Sequence, residues 1–315
     1  MEVLIFSYAF ALLLIALFVQ EKMQRQKIQG GYQFFELISK HEKREKNIQC
    51  SQALFERLAE LSIDFSLELF VHSASEEIHL LIGVPKKHVT KLNLLTTSIW
   101  HEKFVELKAF SERSLFLDTN QEVSTYSIVQ AKEAALPIKT ALKGDFGLFE
   151  ALLRVSSDLF SFNEGIALQV NVRPENAAKL EEINELLIKL NEGNYEEGRL
   201  LLNKDFVLTS DSIQILESKV AKPLMQVSVK VVLTTQTKER QEELKGRLED
   251  ALLQTNQGPN YNFFELKRVI NQANFLESFY AHHLGKSTMQ LNSEELTTLF
   301  HFASRQSHFM AKLKH

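Results

Sequence analysis

Two five-residue strings constrain the fold of this chain more than any other feature. FVELK (Phe104–Lys108) and FFELK (Phe263–Lys267) differ at one position, and each closes a stretch in which an alternating apolar run is followed by a helical one. Ahead of the first, Phe65, Leu67, Leu69 and Val71 alternate with Ser66, Glu68 and His72. Ile78, Leu80, Ile82 and Val84 alternate again after a turn, which predicts a hairpin over 65–84, followed by a helix from Lys87 to Trp100. Ahead of the second, Met225, Val227, Val229, Val231 and Leu233 make the clearest strand in the chain, and Leu244, Leu248 and Leu252 mark a helix from Lys238 to Gln254. Between these stretches, Ala135–Thr140 reads as a short strand, Asp145 as the cap of a helix to about Phe160, and Ile166–Val172 as a strand ended by Pro174. Helices fill 175–191, 195–202 and 210–219. Strand-helix-strand units with one apolar face per element build a sheet with helices on one side, so the expected class is α+β with two ferredoxin-like lobes. The lobes are placed at 53–130 and 131–302, the second with a helical insertion at 175–220. One short match leaves open whether they arose by duplication.

The first residues are of another kind. Val3 to Val19 is 17 residues without a charge, at the short end of what crosses a hydrocarbon core. A cleaved signal peptide would have positive residues before the apolar run and small residues after it, whereas Glu2 precedes this one and Gln20-Glu21-Lys22-Met23 follows. The expectation is an uncleaved transmembrane anchor over 1–21, with Val3, Leu4, Ile5, Phe6, Leu12, Leu13, Leu14, Ile15, Leu17 and Phe18 in contact with membrane lipid. Lys22, Arg25 and Lys27 lie just beyond it, which by the positive-inside tendency sets the N-terminus outside and the body at the cytoplasmic face of the inner membrane. Residues 22–52, rich in Lys, Gln and Glu, are read as a juxtamembrane stalk.

Composition excludes several kinds of chemistry. Cys50 is the only cysteine, so there is no intrachain disulfide, no Cys-rich zinc site and no iron-sulfur cluster. A net charge of -4 provides no general attraction to nucleic acid. Phe is abundant, with 23 copies against 11 Gly and 5 Pro, which favours a sizeable core over linkers. Gly285-Lys286-Ser287-Thr288 matches the end of a phosphate-binding loop, but Tyr280 stands where the first glycine is required and a helix precedes it instead of a strand. Gly285 is read instead as the stop of that helix. His282 and His283 are adjacent and point about 100° apart on a helix, which prevents joint chelation of one metal. His72 and His79 face each other across the expected hairpin with no further ligand nearby. The glutamate pairs at 76–77, 181–182, 242–243 and 294–295 read as solvated faces. Neither a nucleophile nor a cofactor motif emerges, so the expectation is a chain that is not an enzyme and carries no metal or cofactor.

A resemblance supplies the functional expectation. Leu58–Val71, Ile78–Pro85, Leu136–Thr140 with Leu148–Leu159, Glu164–Pro174, Met225–Leu233 and above all LNSEELTTLFHF (Leu291–Phe302) resemble the membrane-proximal region of bacterial conjugative, type IV secretion coupling-type proteins. The resemblance implies a membrane anchor, paired α+β modules and then a RecA-like ATPase. In that pattern a Walker A loop follows the last string, whereas here 13 residues remain, so the motor is expected on a separate chain or to have been lost. The implied role is a non-enzymatic platform subunit in DNA transfer that docks a P-loop ATPase and other secretion subunits. Leu291, Glu294, Glu295, Leu299, Phe300 and Phe302 are then the candidate docking residues. Assembly of several copies is implied as well, while direct DNA contact stays open. Residues 303–315, with Arg305, Lys312 and Lys314, read as a basic tail that is solvated or touches a partner. The alternatives are a tethered module that binds a small ligand or nucleic acid, and a metal-dependent hydrolase assembled from distant histidines.

Overall fold

The chain is described from a computed structural model covering residues 31–40, 43–72, 77–101, 104–110, 122–140, 147–159, 164–175, 177–193, 212–285 and 287–303. Among the described residues nine strands form one sheet, antiparallel throughout. The first half runs β1 (Tyr32–Ser39), α1 (Arg44–Glu60), β2 (Phe65–His72), β3 (Glu77–Pro85), α2 (Val89–Trp100) and β4 (Val105–Phe110). The second runs β5 (Glu122–Gln130), α3 (Leu148–Ser157), β6 (Gly165–Pro174), β7 (Leu224–Thr235), α6 (Lys238–Leu253) and β8 (Phe264–Arg268), with α4 (Ala177–Asn191) and α5 (Ser212–Val220) inserted between β6 and β7. The chain then adds α7 (Gln272–Tyr280), β9 (Met289–Asn292) and α8 (Ser293–Leu299).

Strand order is β4-β1-β3-β2-β6-β7-β5-β8, with β9 on β7. Each half is therefore a βαββαβ unit with the order fourth, first, third, second, the ferredoxin-like arrangement. The halves are fused where their second strands, β2 and β6, pair antiparallel. The two FxELK strings fall on equivalent strands, β4 and β8, and the registers carry the equivalence inward. Lys108 faces Glu36, which faces Leu81, which faces Glu68. Lys267 faces Ser127, which faces Lys230, which faces Gln169. Glu68 and Gln169 face each other, so an approximate twofold axis passes between them.

Alternation divides every strand between two faces. One face carries Phe65, Leu67, Leu69, Ile166, Leu168, Val170, Val229 and Val231, and it packs under α1, α2, α3, α6 and α8 in a single core that includes Phe55, Trp100, Phe149 and Leu248. The opposite face holds the polar members of the same strands and is crossed in the second lobe by α7, whose Phe275 and Phe279 cover Ala167 and Val232. The insertion has its own small core, in which Leu186, Leu187, Leu190 and Leu216 close on Leu136.

Several expectations are corrected. Among the described residues no helix is long and apolar enough to cross a membrane. The expected transmembrane helix, and with it the reading of a single-pass inner-membrane protein with its N-terminus outside, therefore finds no support in the described structure, whose class is α+β. The two longest described helices, α1 of 17 residues and α6 of 16, are charged on one side and bury a mostly apolar side against the sheet. The side chains assigned to the anchor, from Val3 to Phe18, lie outside the described residues, as do those of 195–202 and 304–315. The stretch read as a stalk contains β1 and the start of α1, and Cys50 is buried there. Ala135–Thr140 makes one isolated bridge, Ile138 to Asn262, in place of a strand. His79 lies opposite Phe70 and not opposite His72.

Candidate functional site

The residues expected to dock a partner are interior. Leu291, Leu299, Phe300 and Phe302 are fully buried and Glu295 nearly so; only Glu294 is partly exposed. Phe300 and Phe302 pack against each other, against Phe149 and against Trp100. Glu295 is committed three times over. It completes a capping box with Asn292 at the start of α8, accepts from the Ile138 amide at 2.7 Å, and takes both oxygens to Lys219 Nζ at 2.9 and 2.7 Å. Lys219 comes from α5, is completely buried, and donates also to Gln290 O at 2.5 Å. Burial pushes its pKa down and the Glu295 carboxylate opposes that. This pair is a rivet between the insertion and the end of the chain.

A second cluster joins the halves on the helical face. Arg44, at the start of α1, meets Glu150 of α3 at 2.5 Å, and His301 Nε2 lies 3.2 Å from the same carboxylate oxygen. Burial raises the Glu150 pKa, but the hydrogen bond and charge of His301, then those of Arg44, outweigh it and hold the carboxyl at about 2.

The largest concentration of buried polar groups was not foreseen. It lies on the opposite face, astride the approximate twofold axis. Glu68, Gln169 and Lys230 occupy neighbouring strands in one cross-strand row, and all three are buried beneath α7 and the turn after it. Gln169 Nε2 reaches Glu68 Oε1 at 2.9 Å and Phe279 O at 2.9 Å, with His282 Nδ1 at 3.0 Å. Lys230 Nζ donates to Ser278 O and Oγ, both at 2.8 Å, and to His283 O at 2.6 Å. Three acceptors at those distances match the three donors of an ammonium, while burial pulls the Lys230 pKa down to about 7 against the attraction of Glu68.

The turn that brings these acceptors in has its own local causes. His282 adopts φ 53°, a left-handed conformation that ends α7 and aims the ring at the sheet. There it packs tilted against the Phe34 ring, centroids 4.8 Å apart, and against Tyr32 at 5.6 Å, with Nδ1 3.3 Å from Glu68. Gly285 then touches the strand: its amide donates to Ser228 Oγ, and a side chain there would meet that oxygen at 2.8 Å. The Gly285-Lys286-Ser287-Thr288 string is thus a close approach to β7, with Lys286 outside the described residues. In the first lobe the same face carries His79 Nδ1 against Glu36 Oε1 at 2.9 Å, both buried.

These groups are spent on one another and on main-chain acceptors. Their chemistry as observed is adhesion of the α7 segment to the sheet. Among the described residues no group of three or more His, Cys, Asp or Glu side chains could hold a metal ion. In the sequence, Glu68, Gln169 and Lys230 are polar members of alternating strands with nothing to single them out; only their shared register shows them as one row. No protein-family model matches the chain, and no curated protein matches it.

Proposed function

We propose that this chain is a non-enzymatic accessory module of a conjugation-like type IV secretion system, which docks a separately folded P-loop ATPase. One observation carries the reading: two βαββαβ units are fused through their second strands into a continuous sheet, which fits the paired α+β modules implied by the resemblance. The inward commitment of Glu68, Lys230, Glu150 and Glu295 is consistent with a scaffold, since a reacting group must present an atom to substrate. The docking surface lies elsewhere than Leu291–Phe302, because those side chains form the core.

The test is affinity purification of the tagged full chain from cells that carry such a system, followed by crosslinking with the candidate ATPase. Recovery of that ATPase in fixed proportion, with its hydrolysis rate altered by the added chain, is the expected result. A folded preparation that recovers neither the ATPase nor other channel subunits overturns the reading. So does nucleotide hydrolysis by the chain alone.

A further inference from the structure

The two outermost strands carry the repeated string, and among the described residues each is hydrogen-bonded on one side only, β4 to β1 and β8 to β5. Lys108 and Lys267 are exposed, Glu106 and Glu265 partly so, and within each strand the two charges sit on the same side of the sheet, 3.5 and 3.9 Å apart. Leu107 and Leu266 between them are partly buried against the core. Open strand edges are ordinarily guarded by a lone lysine, which repels any incoming strand. A Glu-x-Lys edge behaves differently: it repels a random strand but accepts an antiparallel one bearing the same pattern, because each Glu then lies opposite a Lys.

We propose that β4 of one copy pairs antiparallel with β8 of a second copy, centred on Leu107 opposite Leu266. This register sets Glu106 opposite Lys267 and Lys108 opposite Glu265. The next pair sets Ala109, the smallest side chain of β4, opposite Phe264, the largest of β8 on that face. Pairing β4 with another β4 would match the charges equally but place Ala109 against Val105, and pairing β8 with another β8 would place Phe264 against Arg268. The mixed register combines charge and size complementarity. It also repeats between molecules the rule seen inside one, where equivalent strands of the two lobes pair antiparallel. The contact is head-to-tail, so copies add in series and not only as pairs.

The experiment is sedimentation velocity of the full chain across a concentration series, with charge-swapped strands. E106K/K108E and E265K/K267E each leave the composition unchanged. Either swap alone sets like charges opposite each other at two positions, and self-association is expected to weaken about tenfold or more. Combining the swaps restores opposite charges and is expected to recover the wild-type assembly, while A109R, at an exposed position, weakens it without touching the charge pairs. The proposal is overturned by a wild-type chain that stays monomeric throughout, by association that ignores the single swaps, or by combined swaps that fail to recover it. A β4–β4 contact would ignore the first swap, and a β8–β8 contact the second.

Discussion

The two lobes share one topology and register, yet they fill the same positions differently. Where the first lobe has Leu81, the second has Lys230; Glu36 corresponds to Ser127, Gly83 to Val232 and Phe34 to Thr125. The helical face tolerates little variation, and Ile82 and Val231 are both fully buried aliphatics. The opposite face varies because its covering differs. In the second lobe α7 and the following turn lie across it and bring carbonyl oxygens to Lys230, whereas in the first lobe Leu81 is buried without a polar partner to satisfy. A sheet built from two lobes of one topology thus keeps its shared core and varies the face that each lobe covers in its own way.

The largest effect is expected where the second lobe has something the first lacks, the insertion riveted by Lys219 and Glu295. Glu295→Ala leaves a fully buried ammonium facing one carbonyl and removes the Glu295 half of the capping box of α8, with a loss of about 4 kcal/mol in chemical denaturation. A loss below about 1 kcal/mol would show that the insertion is held by its small apolar core alone.

Next comes the seam between the lobes. The Glu150 pKa is about 2 in the folded state against 4.5 for the free side chain. The unfolded chain therefore binds the extra proton first as pH falls, and stability present above pH 4.5 is lost on the way to pH 2. The loss attributable to this group is roughly 3 kcal/mol. Glu150→Gln should flatten that part of the pH profile; an unchanged slope would assign acid sensitivity to other carboxylates.

Lys230→Met tests the opposite face directly, since it gives the second lobe an apolar residue like Leu81. Losing the ammonium leaves the Ser278 carbonyl only the His283 amide and the His283 carbonyl only Asn171 Nδ2, and is expected to cost about 2 kcal/mol and to raise amide exchange in α7. Leu81→Met, the matched change in the first lobe, should cost under about 1.5 kcal/mol. Equal losses would break the distinction between the two coverings.

Much of the framework was legible before the structure. β6, β7 and α6 fall where alternation and helical spacing placed them, because each has one apolar face against a common core. β1 was missed: in YQFFELIS both faces are buried, Phe35 and Leu37 on one side and Phe34, Glu36 and Ile38 on the other, so no alternation survives. The candidate site failed in two opposite ways. Leu291–Phe302 is singled out as a docking strip by the resemblance alone, and its sequence does not distinguish an apolar side that meets a partner from one that meets the chain's own core. Glu68, Gln169 and Lys230 did not stand out because nothing near them in sequence shows that α7, some 40 to 200 residues later, lies over them. The FxELK repeat carried the most information, since it fixed which strands correspond.

The smallest effect asks whether that correspondence is physical at a single pair. Gly83 lies opposite Phe34, whose ring is folded over the glycine so closely that a side chain there would meet its Cε1 at 2.2 Å. At the equivalent place the second lobe pairs Val232 with Thr125, two side chains that leave each other room. Gly83→Val, which copies the second lobe into the first, should therefore be destabilising by about 2 kcal/mol through overpacking, although valine is the better strand former. In a Phe34→Thr background the same substitution should cost little, giving a coupling of about 1 to 2 kcal/mol in the double-mutant cycle. The Phe34 ring also packs against His282, so Phe34→Thr carries its own cost, which the cycle subtracts. If Gly83→Val costs the same in both backgrounds, the ring is not what excludes the side chain, and the lobes differ here through backbone shape instead of through the residue pair.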